Sequence, residues 1–295
     1  MDLLNIIEEI EKVDPEFQDK ISPRRAAIKN ITSFGSKVAV AAMPFALGSL
    51  FKKAYAQQSS SSIVGVLNYA LQLEFLEANF YNAGLTSASF AAMKTTLTAT
   101  ELAGLTLIQT DENNHVKFLQ TVITSLGGTP VSFTPANFDF TAQGTFPSVY
   151  TSSDTWLAVA ETFEDTGVRA YKGQATNLIR NKTVLTAALD IHSVEARHAS
   201  HLRMLRRARM LTAGMSSTAA IRPWITGAND TGIAAVNASY AGEDNVMQGG
   251  VNVATGLSAY NTIAGANATT SATQAFDEPL DMQTVVGIVT PFFKK

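Results

Sequence analysis

The sequence contains no cysteine and only four histidines among its 295 residues. The absence of cysteine excludes disulfide bonds, thiolate metal sites and cysteine nucleophiles. Oxygen and imidazole groups are then the only strong metal ligands that the chain can offer. Net charge is also scarce, at −3 near neutral pH, and no basic patch is interleaved with aromatic residues. We therefore expect no nucleic-acid partner.

Long apolar runs are missing as well, and the one short run belongs to a segment with the features of an export signal. This segment, residues 1–56, contains the basic pair Arg24 and Arg25 in the stretch SPRRAAIKN, and the apolar run from Val38 to Phe51 follows it. Fourteen apolar or small residues are too few to span a bilayer comfortably. The pattern of a basic stretch and then a short apolar run is typical of a targeting signal.

The end of this segment has the small-x-small pattern of a cleavage site, formed by Ala54 and Ala56. The whole stretch resembles the twin-arginine export signal, although Ala27 stands where that signal usually has a large apolar residue. This resemblance implies export by the twin-arginine machinery to the periplasm or cell envelope, with cleavage after Ala56. That pathway carries proteins that are already folded, often with a cofactor in place. A short amphipathic helix or an uncleaved anchor is the alternative interpretation.

Four long segments repeat apolar residues at helical spacing, which predicts four α-helices. Their expected ranges are about 62–84, 98–126, 154–180 and 183–210. Each has a suitable N-cap residue, and these are Ser62, Thr98, Asp154 and Thr183.

The connections between these segments indicate how the helices are arranged. The first connection is short and the third is almost immediate, whereas the second, Gly127–Ser153, is long and rich in Thr, Phe, Pro and Gly. Two tight hairpins joined by one long crossover predict an all-α fold, a ferritin-like four-helix bundle over residues 57–211.

The remaining residues, 212–295, differ in character from the predicted bundle. Residues 212–280 are rich in Ala, Gly, Asn and Thr and show no sustained period, so we expect an ordered but irregular extension packed on the bundle. Residues 277–293 predict a short amphipathic C-terminal helix whose Val and Ile residues dock on the bundle. Within the extension we expect four aromatic residues to be buried, namely Trp224, Tyr240, Tyr260 and Phe276.

Two of the predicted helices contain the same pair of metal-binding residue types at the same spacing. Glu112 and His115 lie in the second helix, and Glu195 and His198 lie in the fourth. Thirteen glutamates and four histidines in 295 residues make two such pairs unexpected by chance. Residues at i and i+3 share one helix face, so both side chains of a pair can reach one ion. Two Glu-x-x-His helices are typical of dinuclear carboxylate bundles, in which the other two helices supply one Glu each.

The first and third helices each contain two candidate glutamates for that role. These are Glu74 and Glu77 in the first helix, and Glu161 and Glu164 in the third. Within each pair the two residues lie one turn apart on one face, so Glu77 and Glu161 could be ligands or could support ligands from outside.

A tyrosine follows the matching glutamate by seven residues in both helices. Tyr81 follows Glu74, and Tyr171 follows Glu164. The two hairpins therefore read as pseudo-repeats of each other. The tyrosines could be hydrogen-bonding core residues or could take part in the reaction.

Residues 62–210 resemble the ferritin-like superfamily, which includes bacterioferritins, rubrerythrins and manganese catalases. The stretches LNYALQLEFLEANFY, DENNHVKFL, FEDTGVRAY and EARHASHL are similar to the exported bacterial ferritin-like domain family, which is related to plant desiccation-associated proteins. The resemblance prefers Glu164 to Glu161, because Gly167 follows Glu164 as in the matching bacterioferritin helix. It implies six metal ligands, which are Glu74, Glu112, His115, Glu164, Glu195 and His198.

Electrostatics also favours bound cations at such a site. Four carboxylates about 5 Å apart repel one another by roughly 3 kcal/mol per pair at an effective dielectric constant of 20. The total exceeds the stability of an ordinary domain, so protons or cations must neutralise the charge. Two divalent ions would balance four carboxylates with neutral histidines, and oxygen-rich ligation with one imidazole per ion suits iron or manganese.

We expect an exported dinuclear iron or manganese protein that reacts with H2O2 or O2. Peroxide removal is the first hypothesis for the reaction and ferrous oxidation is the second. Glu77 or Glu161 could shift or carry protons, and Tyr81 or Tyr171 could stabilise a bound oxygen species. The alternative is a non-catalytic, stress- or desiccation-related scaffold with structural metal or none. Homo-oligomerisation stays open.

Two other groups of residues have weaker claims to a role in the site. His201 would lie beside the ligands or at the surface, and His192 would support the site at most. The arginines near the end of the fourth helix favour a solvated helix end, where the dipole attracts cations, over an anion or partner site. They are Arg203, Arg206, Arg207 and Arg209.

Overall fold

The computed structural model describes residues 60–228, 231, 233–256 and 267–294, and all of them fall within one compact unit. The predicted export signal, the basic pair and the cleavage site after Ala56 lie outside the described residues. None of the described helices combines the length and the apolar character that crossing a bilayer requires.

The four predicted helices are confirmed, and they form an all-α bundle. They are α1 (Ser60–Thr86), α2 (Ala99–Ser125), α3 (Ser153–Leu178) and α4 (Lys182–Thr212). Helix α1 packs mainly on α2, and α3 mainly on α4, while α1 and α3 join the two hairpins. A 3-10 turn, Ala88–Phe90, and a single-turn helix, Ala91–Lys94, make up most of the first connection.

The predicted N-caps are confirmed only for α2. There Thr98 accepts a hydrogen bond from the backbone of Glu101, whose side chain in turn accepts from the backbone of Thr98. The caps of α3 and α4 are Ser152 and Asn181, each two residues before the predicted one. The predictions for Asp154, Thr183 and Ser62 were wrong because a good capping residue stands just outside the apolar pattern, and α1 already includes Ser60.

The long crossover between α2 and α3 is ordered by contacts with the C-terminal end of the chain. It contains a 3-10 turn, Pro135–Asn137. Phe138 forms a β-bridge with Phe293, and the backbone of Asp139 donates a hydrogen bond to Phe292. Stacked and edge-on aromatic rings from both segments fill the space between them.

Helix α3 lies at the centre of the described structure. Every residue from Trp156 to Tyr171 is buried, on all faces of the helix. A surface helix of a four-helix bundle has one polar face in water, so something else must cover α3.

The C-terminal extension provides this cover. It contains a 3-10 helix, Ala234–Tyr240, a two-stranded antiparallel hairpin, and several short helices. The strands are β1 (Met247–Gln248) and β2 (Val251–Asn252), followed by the single turn Val253–Gly256, α5 (Ala268–Thr273), α6 (Met282–Val289) and a 3-10 turn, Thr290–Phe292. The backbone amide of Leu280 donates to the carbonyl of Arg169, and Gly173 lets the two chains approach this closely, since a Cβ there would meet the Leu280 oxygen.

The predicted C-terminal helix is present as α6, and it docks through Val285 and Val289. Of the four aromatic residues expected to be buried, Tyr240 is fully buried, whereas Trp224 is 48% exposed and Phe276 is 37% exposed. The expectation was wrong for these two. The indole nitrogen of Trp224 donates to the side chain of Gln274 at 3.1 Å in an exposed hydrogen bond. Tyr260 lies outside the described residues.

Candidate metal centre

The six residues predicted as metal ligands converge inside the bundle. Helix α1 contributes Glu74, α2 contributes Glu112 and His115, α3 contributes Glu164, and α4 contributes Glu195 and His198. All four carboxylates are fully buried, and the side chains of His115 and His198 are 12% and 7% exposed. Four helices of regular geometry thus bring together residues that are far apart in the chain.

These residues form two overlapping groups, each with three carboxylates and one imidazole. The first group is Glu74, Glu112, His115 and Glu195, and the second is Glu112, Glu164, Glu195 and His198. In each group the ligand atoms lie within 4.8 Å of one another. Glu112 and Glu195 belong to both groups, so the arrangement is that of two positions bridged by two carboxylates.

The imidazoles face the carboxylates through the same ring nitrogen. Nδ1 of His115 lies 3.1 Å from Oε2 of Glu74 and 3.2 Å from Oε1 of Glu195. Nδ1 of His198 lies 3.2 Å from Oε2 of Glu164 and 2.9 Å from Oε1 of Glu112. The two halves are therefore related by the pseudo-repeat that the sequence indicates.

Each of the two tyrosines contacts a glutamate of the other hairpin. The hydroxyl of Tyr81 on α1 donates to Oε1 of Glu164 on α3 at 2.6 Å, and the hydroxyl of Tyr171 on α3 donates to Oε1 of Glu74 on α1. Each hydrogen bond leaves the second oxygen of the glutamate facing its histidine. The tyrosines thus orient the terminal carboxylates, which is the hydrogen-bonding alternative of the sequence analysis.

The bridging carboxylates are suited to a cation. All four oxygens of Glu112 and Glu195 are buried, and none accepts a well-formed hydrogen bond from the described residues. Buried carboxylates without hydrogen bonds are costly unless they are paired or coordinate a metal. Oxygen-rich ligation with one imidazole per group matches iron or manganese better than zinc or copper. The residues present therefore fit a dinuclear metal centre.

Proton affinities reflect the crowding of these charges. Burial, together with the charges of Glu112 and Glu74, raises the pKa of Glu195 well above its ordinary value. Burial and the charge of Glu164 raise the pKa of Glu112 to about 7. For His198, burial opposes the charged form, but the carboxylates of Glu164 and Glu112 outweigh it and raise the pKa to about 12. Without a cation the cluster retains protons, which is the other way of neutralising it.

Glu77 lies against this cluster without belonging to either group. A Cβ atom on Gly167 would stand 3.3 Å from Oε1 of Glu77 and 3.5 Å from Oε2 of Glu195, so the glycine makes room for both carboxylates. Burial, and then the charge of Glu195, raises the pKa of Glu77 well above its ordinary value.

Glu161, the other candidate on α3, pairs with an arginine and does not join the cluster. Its Oε2 lies 2.8 Å from Nη1 of Arg206, and neither group of converging ligands includes it. Burial, partly offset by Arg203 and Arg206, raises the pKa of Glu161 to about 7. The structure thus separates the two glutamates whose roles the sequence left open.

The prediction of a solvated arginine end on α4 was wrong. Arg203 and Arg206 are only 1% and 7% exposed. Arg203 pairs with Asp165 at 2.5 Å, and the hydroxyl of Tyr240 donates to the same carboxylate at 2.7 Å. Helix spacing does not reveal this burial, because the partners of the two arginines lie on α3 and in the extension, far away in the sequence.

The other two arginines are also held by the protein. Arg207 donates to the carbonyls of Ala220 and Ile221, at 3.0 and 2.7 Å, and Arg209 pairs with Glu101 at 2.6 Å. These contacts fasten α4 to the extension and to α2.

His192 and His201 are not among the converging groups. Nδ1 of His192 lies 3.0 Å from the backbone oxygen of Val168. His201 packs against α2 at Gly104, where an added Cβ would stand 2.6 Å from its Nε2. Both histidines serve helix packing in the described structure.

Sequence reasoning missed Asp111 and Glu243. Nε2 of His198 lies 3.2 Å from Oδ2 of Asp111, the residue before Glu112. Glu243 in the extension pairs at 2.8 Å with Arg169, which is fully buried on α3. The only signal for Asp111 was its place beside a predicted ligand, and Glu243 had none.

Comparison with known proteins agrees with the fold and the cluster. The family model of the ferritin-like domain matches residues 62–208, which cover the four bundle helices almost end to end. No curated protein and no solved structure matches the chain. The bundle geometry and the carboxylate and histidine cluster are both consistent with the family match. Residues 62–208 are a ferritin-like domain of the ferritin-like superfamily.

Proposed function

We propose that the protein holds a dinuclear iron or manganese centre and uses it to remove hydrogen peroxide. The observation that supports this proposal is the pair of overlapping ligand groups, which share Glu112 and Glu195. Among the described residues, the ion pairs of these carboxylates are with histidine and not with lysine or arginine. Within the described residues the chain supplies no fixed positive charge to these groups, so it leaves that task to cations.

The first ion would be held by Glu74, Glu112, His115 and Glu195, and the second by Glu112, Glu164, Glu195 and His198. When bound, a pair of such ions supplies the electron transfer that no side chain of this protein can provide. Disproportionation of peroxide needs no further reductant. One H2O2 gives up two electrons and two protons to become O2, and a second H2O2 takes them up to become two molecules of water.

The residues around the ions have separable tasks. Tyr81 and Tyr171 keep Glu164 and Glu74 oriented through hydroxyl hydrogen bonds. Burial of the carboxylates excludes bulk water and strengthens every electrostatic interaction within the site. Glu77, whose Oε1 lies beside the cluster, is the group that we assign to holding protons during the reaction.

Export belongs to the proposal as well. The basic pair Arg24 and Arg25, the apolar run and the cleavage pattern at Ala56 support transport by the twin-arginine machinery. Mass spectrometry of the protein from a periplasmic fraction should show a chain that starts at Gln57. A full-length chain that stays inside the cell would contradict export and leave the metal proposal standing.

Metal content per chain tests the central claim. The purified protein, loaded anaerobically, should contain about two iron or manganese ions per chain. The variant Glu112→Ala/Glu195→Ala should lose both, because it removes the two shared ligands. The variant Asp190→Ala, an exposed acid on α4, is the matched control and should lose none.

Peroxide assays on the same samples separate the two functions. Turnover should release one O2 for every two H2O2 consumed and should disappear in the double variant. Two bound ions without turnover would favour the non-catalytic scaffold. No stoichiometric metal after anaerobic loading would contradict the proposed function.

A further inference from the structure

We propose that the two halves of the centre differ in affinity: Asp111 makes the His198 position the tighter one, and the His115 position exchanges its ion more readily. This inference rests on the proposed metal binding. It concerns a difference between two positions that the pseudo-repeat would otherwise make alike.

Around the ligands themselves, the two halves of the centre make nearly the same contacts. Each histidine presents Nδ1 to three carboxylates, and each terminal glutamate accepts a hydrogen bond from a tyrosine of the other hairpin. On these contacts alone, the two ions would be held equally well.

The difference lies on the far side of the imidazole rings. Nε2 of His198 has a carboxylate partner, Oδ2 of Asp111, at 3.2 Å. Asp111 directly precedes the bridging Glu112 on α2, and the equivalent position before Glu195 on α4 is Val194. Valine has no acceptor, and no hydrogen bond to Nε2 of His115 is made by the described residues. The side chain of His115 is also the more exposed, at 12% against 7%.

A carboxylate at Nε2 has two effects on a metal-binding histidine. It holds the proton on Nε2, so that the lone pair stays on Nδ1, which faces the ligand group. It also orients the ring and raises its basicity as a ligand, and loss of such a partner typically costs about 10–100-fold in metal affinity. The side chain of Asp111 is 50% exposed. We therefore expect a difference near the lower end of that range, about tenfold.

Stepwise titration of the metal-free full chain with Mn²⁺ under anaerobic conditions tests the inference. Calorimetry should resolve two affinities about tenfold apart. The positions can be assigned with Glu74→Ala, which should remove the weaker phase, and Glu164→Ala, which should remove the tighter one, since each residue belongs to one group only.

Two mirror-image variants then test Asp111 itself. Asp111→Val should weaken only the tighter phase and bring the two affinities together. Val194→Asp should strengthen only the weaker phase and also bring them together. Asp111→Asn keeps the size of the side chain and should fall between the wild type and Asp111→Val. Thermal melting of the metal-free proteins shows whether each variant folds.

The outcomes separate this inference from the proposed function. Two equal affinities in the wild type, or an Asp111→Val variant that alters neither phase or both alike, would overturn the inference while metal binding stands. If Asp111→Val does not fold, an unchanged weaker phase in Val194→Asp overturns it equally. Absence of any Mn²⁺ or Fe²⁺ binding in the wild type would instead overturn the proposed function.

Discussion

Helix α3 carries buried carboxylates toward two different neighbourhoods, and only one of them contains arginine. Asp165 and Glu161 meet the guanidinium groups of Arg203 and Arg206. Glu164, on the same helix, meets carboxylates of α2 and α4 together with an imidazole. The carboxylates of both neighbourhoods are almost completely buried, so burial does not distinguish them.

The difference separates buried carboxylates that have an arginine partner within the chain from buried carboxylates that have none. A buried carboxylate such as Asp165, which accepts hydrogen bonds from an arginine and a tyrosine, is satisfied within the chain and holds elements together. A buried set of carboxylates without arginine is unstable as a set of anions, and it becomes stable only with protons or metal ions. The first arrangement fastens the extension and α4 to α3, and the second is the candidate metal centre.

Loss of an arginine that pairs with a carboxylate of α3 should have the largest effect on the free energy of unfolding. Arg203→Met leaves Asp165 buried without its guanidinium, and we expect it to lower the free energy of unfolding by about 3–5 kcal/mol. Metal content should not change. Urea unfolding and metal analysis check the two expectations.

Two further variants make this result specific. Arg197→Met, an exposed position on the same helix, should lose little stability. Arg203→Met/Asp165→Asn should recover part of the loss, since no charge is then left unpaired, and it provides the measurement if the single variant does not fold. A loss below 1 kcal/mol in a folded Arg203→Met protein would contradict the comparison.

Loss of a carboxylate from the candidate metal centre should change the free energy of unfolding in the opposite direction. In the metal-free protein Glu195→Gln removes one member of a mutually repelling set, and we expect a gain of about 1–3 kcal/mol in unfolding free energy. The matched variant Glu243→Gln removes a buried carboxylate that pairs with Arg169, and it should lose stability. Chemical unfolding after chelation measures both, and a shift of the same sign in the two variants would remove the distinction.

A glycine next to the cluster sharpens the comparison, because it should separate stability from metal binding. Gly167→Ala and Gly65→Ala both replace a helical glycine, which favours the helix by about 1 kcal/mol. The added Cβ at Gly65 meets nothing within 4 Å, whereas at Gly167 it stands 3.3 Å from Oε1 of Glu77. We expect Gly167→Ala alone to weaken metal binding, by about tenfold. Calorimetric titration of both variants checks this, and equal affinities would show that the space at Gly167 is not needed.

The partly exposed ion pair of Arg209 with Glu101 should have the smallest effect on stability, and this effect should depend on pH. The hydrogen bond from Arg209 lowers the pKa of Glu101 from 4.5 to about 2. A group with a lowered pKa stabilises the fold above its unfolded pKa and loses that contribution as the pH falls toward the folded value. Relative to Glu101→Gln, the wild type should be more stable by about 1 kcal/mol above pH 4.5, with the difference vanishing near pH 2. Thermal unfolding across this range measures it, and a difference that persists at pH 2 would refute the assignment.

The four helices and the two Glu-x-x-His pairs were predictable from the sequence because both depend on local spacing. The choice of Glu74 and Glu164 over their neighbours came from the resemblance to the ferritin-like superfamily. Apolar periodicity marks the face of each helix that is buried. Glu112 with His115, and Glu195 with His198, must share a face at i and i+3 in any α-helix. Once four such faces turn inward, their carboxylates and imidazoles meet without further information.

The arginine contacts were not predictable, because their partners are remote in sequence and the pairing depends on how the elements pack together. Arg203 reaches Asp165 across 38 residues, and Tyr240 reaches the same carboxylate across 75. The exposure of Trp224 depends on where the irregular extension lies, and the pairing of Glu161 with Arg206 depends on how α3 packs on α4.

Residue spacing along the chain is thus sufficient for the helices, for the bundle and for a cluster of carboxylates and histidines within it, because each follows from the geometry of an α-helix. Tertiary structure alone decides which buried carboxylates receive an arginine and which histidine receives Asp111. These choices depend on distances between side chains of different elements, and such distances are set only when the helices and the extension pack together.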